Sequence, residues 1–100
     1  MQPWRSSYLT VTVRTGRQRV VITARGEVDD SSSPRLEELL ASACVADRAV
    51  VLDLEAVTFV NGTGAQTISR FIAAVRARDS FCALRASDAV HRVLDAISVQ

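Results

Sequence analysis

The residues of this chain whose types and spacing could do chemistry are concentrated in Asn61-Gly62-Thr63-Gly64. They follow two apolar runs, Ala49-Val50-Val51-Leu52 and Val57-Thr58-Phe59-Val60. They precede Ile68, Phe71, Ile72 and Val75, whose spacing is helical. A strand that empties through a glycine-bracketed turn into a helix leaves unpaired N–H groups, and the positive end of a helix dipole, around Gly62 to Gln66. An anion, or a side chain that acquires negative charge, is stabilised at such a place. The glycines equally serve a tight corner. Thr63 reads as an N-cap whose oxygen bonds the first N–H groups of the helix. Asn61 suits a positive φ angle or a cap of its own.

Other polar residues are weighed against that turn. Asp29 and Asp30 precede the first expected helix and can meet a basic partner surface or simply be solvated. Gln66, Thr67 and Arg70 are expected on the polar side of the second helix, where a partner could read them. Asp53, expected to end a buried strand, reads as a hydrogen-bonded structural group. His91 sits one step off the stripe Val90, Val93, Leu94 and Ile97, with no acid, base or nucleophile beside it in sequence. Cys44 and Cys82 form no CxxC and are expected as buried free thiols, with a redox-sensitive pair as the alternative reading. One His and two separated Cys match no metal-ligand spacing, so no metal and no cofactor are expected.

Composition narrows the class. One hundred residues make one domain, 1–100, with residues 1–7 as a loose lead-in and Trp4 placed to fold back onto a sheet edge. An apolar fraction of 48% supports an ordinary core. The net charge of +1, twelve Arg against eleven acids spread along the chain, gives no polycationic footprint for nucleic acid. No run is long enough to span a membrane, and Met1 to Arg5 lacks the apolar core of a signal peptide. A cytoplasmic protein is expected.

The elements that must position the turn follow from periodicity. Tyr8 to Arg14 alternates as a half-buried strand, Thr15 to Gln18 is a hairpin turn, and Val20 to Ala24 returns until Gly26 ends it. A polar loop leads to a helix capped by Ser32 or Ser33, with Pro34 in the first turn and Glu37 and Glu38 facing the dipole. Its stripe is Leu36, Leu39, Leu40, Ala43 and Cys44. Ala49 to Leu54 is expected as a strand buried on both faces, broken at Glu55-Ala56. The second helix is expected from Ala65, then a strand at Phe81 to Leu84, then a third helix capped by Ser87. The class is α/β, ordered ββαβαβα: a four-stranded mixed sheet with a hairpin, two right-handed crossovers and three covering helices.

Two stretches carry a family resemblance. Gly26-Glu27-Val28-Asp29-Asp30-Ser31-Ser32-Ser33-Pro34-Arg35-Leu36 resembles the G-E-[LV]-D-x-x-[ST]-x-P-x-L segment of STAS domains, the anti-sigma factor antagonist family. Val50 to Val60, VVLDLEAVTFV, is similar to its V-V-L-D-L-x-x-V-x-F-[LMI], and Phe81 to Ile97 fits its closing strand and helix. In that family the next residues are D-S-[ST]-G-[LI], and a cognate kinase phosphorylates the first Ser. Here Asn61 stands at the Asp, Gly62 at the phosphoacceptor, Thr63 at the second hydroxyl residue and Gly64 at the glycine. Gly62 has no hydroxyl, so the usual switch, in which added phosphate charge expels the partner, cannot operate there.

The resemblance implies a non-enzymatic regulatory module that binds a protein, an anti-sigma factor or kinase-like partner. Asp29, Asp30, Asn61, Gly62, Thr63, Gly64, Gln66, Thr67 and Arg70 are its candidate contact residues, with Thr63 as the alternative phosphoacceptor. Two other readings stay open: a STAS-like subunit docking on an ABC-type transporter ATPase, and a nucleotide or phosphate site at the Gly62/Gly64 turn. The turn lacks GxxxxGK[ST], which counts against the last.

Overall fold

The structure, a computed structural model, describes residues 4–5, 9–43, 48–78 and 82–98. Its elements are β1 (Trp4–Arg5), β2 (Leu9–Thr15), β3 (Arg19–Val28), α1 (Ser33–Ala43), β4 (Ala49–Val60), α2 (Gly62–Ala77), β5 (Cys82–Ala86) and α3 (Asp88–Ser98). The strands form one sheet in the order β1-β2-β3-β4-β5. The expected four-stranded mixed sheet and three helices are present, with β2 antiparallel to β3 and β3, β4 and β5 parallel. The two-residue β1 adds a fifth strand at the edge, pairing Trp4 with Val11 and Arg5 with Thr10.

Both crossovers run the same way across the sheet. Right-handed connections therefore put α1 and α2 on one face, with α1 packed on α2 and α2 on α3. The core lies between that helical layer and the inward side chains Val20, Ile22, Ala24, Val50, Leu52 and Leu54, capped by Leu36, Leu40, Ile68, Phe71, Val75 and Val90. The opposite face carries Val21, Val51 and Ala83 in one row and Thr23, Asp53 and Arg85 in the next, half-buried or exposed. β4 is thus fully buried on one face only, which corrects the expectation of two covered faces.

Several boundaries move for identifiable reasons. β3 runs through Gly26, whose φ of 113° only glycine adopts readily, instead of ending there. β4 is continuous across Glu55-Ala56. Thr23 pairs with Asp53 but Arg25 with Ala56, and Gly26 pairs with Val57 but Glu27 with Phe59. Each shift sets one extra β4 residue against β3, a bulge, so the break suggested by the sequence is a kink within one strand. Helix α2 starts at Gly62, three residues before the expected Ala65. Ser32 and Ser33 do not cap α1. The Ser32 hydroxyl accepts from the Asp29 N–H at 3.1 Å, and the Ser33 hydroxyl donates to the Asp29 carbonyl at 2.7 Å. Glu37 and Glu38 lie beyond the first turn, in exposed ion pairs with Arg70 and Arg35. Ser87 does cap α3, accepting from the Val90 N–H at 3.3 Å. Tyr8, Cys44 and Phe81 lie outside the described residues, and so does the Ile97 side chain.

Candidate functional site

The C-terminal ends of β3 and β4 deliver two segments side by side, the 27–33 loop and the start of α2. Asn61 ties them together. Its backbone is extended at φ −93°, so the positive-φ reading falls and the capping reading holds. The side-chain oxygen accepts from the Gly64 N–H at 2.9 Å, the amide nitrogen donates to Asp30 at 2.9 Å, and the backbone N–H donates to the Val28 carbonyl at 3.2 Å. One side chain thus satisfies an orphan donor of the helix and holds the acidic loop against it.

Asp29 shapes the loop from within. Its carboxylate accepts from the Ser31 hydroxyl at 2.7 Å and from the N–H groups of Ser31 and Ser32 at 3.0 and 3.2 Å. Donation by the Ser31 hydroxyl, opposed by desolvation and aided by the two N–H groups, holds this carboxyl below its ordinary value. Asp29 is committed to turn geometry, whereas Asp30 is exposed.

The two glycines differ. A Cβ on Gly64 would stand 2.7 Å from Val28 Cγ1 and 2.9 Å from the Val28 carbonyl oxygen, so the helix approaches β3 only because glycine is there. A Cβ on Gly62 would meet nothing within 4 Å. Thr63 is exposed and is not the cap, because Asn61 holds that role. Its carbonyl instead accepts from the Thr67 hydroxyl at 3.2 Å. Thr67 is only 4% exposed, which corrects its expected place on the polar side of the helix. Gln66 and Arg70 are exposed, and Arg70 reaches Glu37 of α1 at 3.1 Å.

One residue was missed by sequence reasoning. Phe59 is 47% exposed, a large apolar side chain open to solvent beside Asn61 and opposite Glu27 in the sheet register. Period-two alternation from the buried Val57 would turn Phe59 inward; the bulge after it reverses this. Away from this end, Asp53 lies within β4 and accepts from the Glu55 N–H at 3.1 Å, and His91 is exposed on α3. Among the described residues no group of three or more His, Cys, Asp or Glu could hold a metal ion, and no helix is long and apolar enough to cross a membrane. What the arrangement offers chemically is a pre-shaped surface: an acidic loop, a capped helix start and an exposed ring.

The STAS domain model matches residues 8–100. No curated protein matches. Among solved structures, an anti-sigma factor antagonist from Mycobacterium paratuberculosis superposes with a TM-score of 0.75 at 22% identity, over 91% of this chain and 79% of that one. The anti-sigma factor antagonist SpoIIAA in its unphosphorylated form gives 0.70 at 18% identity, over 89% and 81%. The STAS domain of an antisigma-factor antagonist from Rhodobacter sphaeroides gives 0.64 at 14%, over 83% and 96%. The structural likenesses carry the fold and the family model spans nearly the whole chain: this chain belongs to the STAS domain family.

Proposed function

We propose that this domain is a non-enzymatic, cytoplasmic regulatory module of the anti-sigma factor antagonist kind, which docks on an anti-sigma factor or kinase-like protein and lacks the serine phosphoswitch. The docking surface is the 27–33 loop, the 61–64 segment with Phe59, and the exposed side of α2 at Gln66 and Arg70. The observation that carries this reading is the Asn61 clasp, which bonds Asp30 and Gly64 at 2.9 Å each and so presets one surface from two segments. Presetting matters because loops already ordered do not lose entropy on binding. Position 62 has space but no hydroxyl, so a kinase has nothing to modify there.

The test is affinity capture from native lysate followed by binding to the recovered partner. The unmodified chain should stay bound when ATP is added. Gly62→Ser introduces an acceptor without a clash; with a cognate kinase present, it should take one phosphate and release the partner. ATP-driven release of the unmodified chain with phosphate on Thr63 would overturn the loss of the switch. Recovery of a transporter ATPase instead of a soluble anti-sigma factor would overturn the partner assignment.

A further inference from the structure

The near-zero net charge hides two opposed ends. Arg14, Arg17 and Arg19 lie on the β2–β3 hairpin, closed by the Gly16 N–H donating to the Arg19 carbonyl at 2.8 Å, and all three are exposed with no ion pair to another described residue. Arg48 joins that end, because the Ala49 N–H donates to the Gln18 carbonyl at 3.0 Å. A surface cleft of about 270 Å³ opens there, lined by Arg14, Thr15, Gly16, Arg19 and Val21. At the far end of β3, Phe59 projects opposite Glu27 in the sheet register, two residues beyond the exposed Arg25, and Asp30 follows in the loop that Asn61 holds against α2; no basic residue lies between Arg25 and Arg35.

We propose that these two ends are complementary halves of a head-to-tail contact between copies of this chain. The Phe59 ring of one copy enters the Arg14/Arg19 cleft of the next and lies over Val21. The guanidinium groups face the ring and the Glu27 and Asp30 carboxylates of that end, combining cation–π attraction with charge-assisted hydrogen bonds. A chain cannot fill its own cleft. Arg19 and Glu27 are eight residues apart on one rigid strand, roughly 26 Å at strand rise. That span is about three times the Debye length of roughly 8 Å at physiological salt, so the ends act as separate charged surfaces. The contact joins two different patches, so it is heterologous and builds assemblies larger than a dimer, as a ring or an open chain. If the docking surface proposed above is right, self-association also hides Phe59 and Asp30 from the partner; the self-association itself does not depend on that reading.

Sedimentation velocity of the full 100-residue chain, with no partner present, tests this. The weight-average sedimentation coefficient should rise with concentration at low salt, and the rise should disappear at about 0.3 M salt. Phe59→Ala alone should weaken assembly about 10- to 100-fold, the value of burying one such ring. Two double variants, Arg14→Gln/Arg19→Gln and Glu27→Gln/Phe59→Ala, each lose one half, and every changed side chain is at least partly exposed. Each should be monomeric alone, and their mixture should form a 1:1 dimer that does not grow. Circular dichroism matching the parent chain establishes that both fold. A parent chain that stays monomeric at low salt, a mixture that stays monomeric, or Phe59→Ala assembling like the parent would each overturn the proposal.

Discussion

Replacing Gly64 with Ala tests whether the helix start is held where it is by close approach to β3. The added methyl would sit 2.7 Å from Val28 Cγ1, 2.9 Å from the Val28 carbonyl oxygen and 3.3 Å from Val28 Cβ. None of these atoms can yield easily. The Val28 side chain is fully buried, and its carbonyl accepts from Asn61 at 3.2 Å, so retreat would strain the core or break the clasp. Overpacking costs about 1–3 kcal/mol, and two such contacts, one to backbone, place this case near the upper end. Alanine's helix preference over glycine returns at most about 1 kcal/mol. The net loss is therefore about 2 kcal/mol, a fall of roughly 10 °C in Tm for a domain of this size. Gly62→Ala is the internal control. Its methyl meets nothing and its φ is not positive, so stability should hold or rise by up to about 0.5 kcal/mol. Guanidinium unfolding followed by circular dichroism, compared at constant m-value, reads both. A Gly64→Ala midpoint at or above that of the parent chain would refute the close-approach argument.

Asn61→Ala should cost about 1 kcal/mol as a lost cap, and it also releases Asp30 from its 2.9 Å bond, so thermal unfolding and partner affinity should fall together. The pH response of Asp29 has a definite sign. Its folded pKa is lowered from 3.8, so its contribution to stability is present above that value and is lost as pH falls through the lower folded value. Carbon-detected NMR titration should place the Asp29 midpoint below 3.8, and Ser31→Ala should move it upward by removing the largest cause; a midpoint unmoved by that change would assign the shift elsewhere.

The strand and helix order was legible because it rests on periodicity, and periodicity survives wherever one face of an element is buried. Leu36, Leu40 and Ala43 on α1, and Ile68, Phe71 and Val75 on α2, are buried as their spacing required. The capping geometry was less legible. Asn61, Thr63, Ser32 and Ser33 all carry side chains able to cap, and the choice depends on which backbone N–H lies within reach, a matter of one residue in where the helix begins. Thr67 illustrates a different limit. Its helix position looked polar by residue type, but the face it occupies turns toward α1, and bonding its hydroxyl to the Thr63 carbonyl lets it be buried there.

Phe59 was hidden from sequence reasoning by the same feature that exposes it. Alternation along Val57-Thr58-Phe59-Val60 buries Val57 and Phe59 together. In the folded chain Val57 and Val60 are buried, and Thr58 and Phe59 face outward. The second β4 bulge makes the exchange, with the Thr58 hydroxyl donating to the Gly26 carbonyl at 3.2 Å across the kink. Bulges between parallel strands are uncommon, and on the facing strand this one lies opposite Gly26, the residue with a positive φ. Its two effects are coupled. Turning Val60 inward secures the last core position before Asn61, and turning Phe59 outward places an apolar anchor beside the acidic loop. The last core position of β4 and the exposure of Phe59, part of the docking surface proposed above, are therefore set by one backbone irregularity.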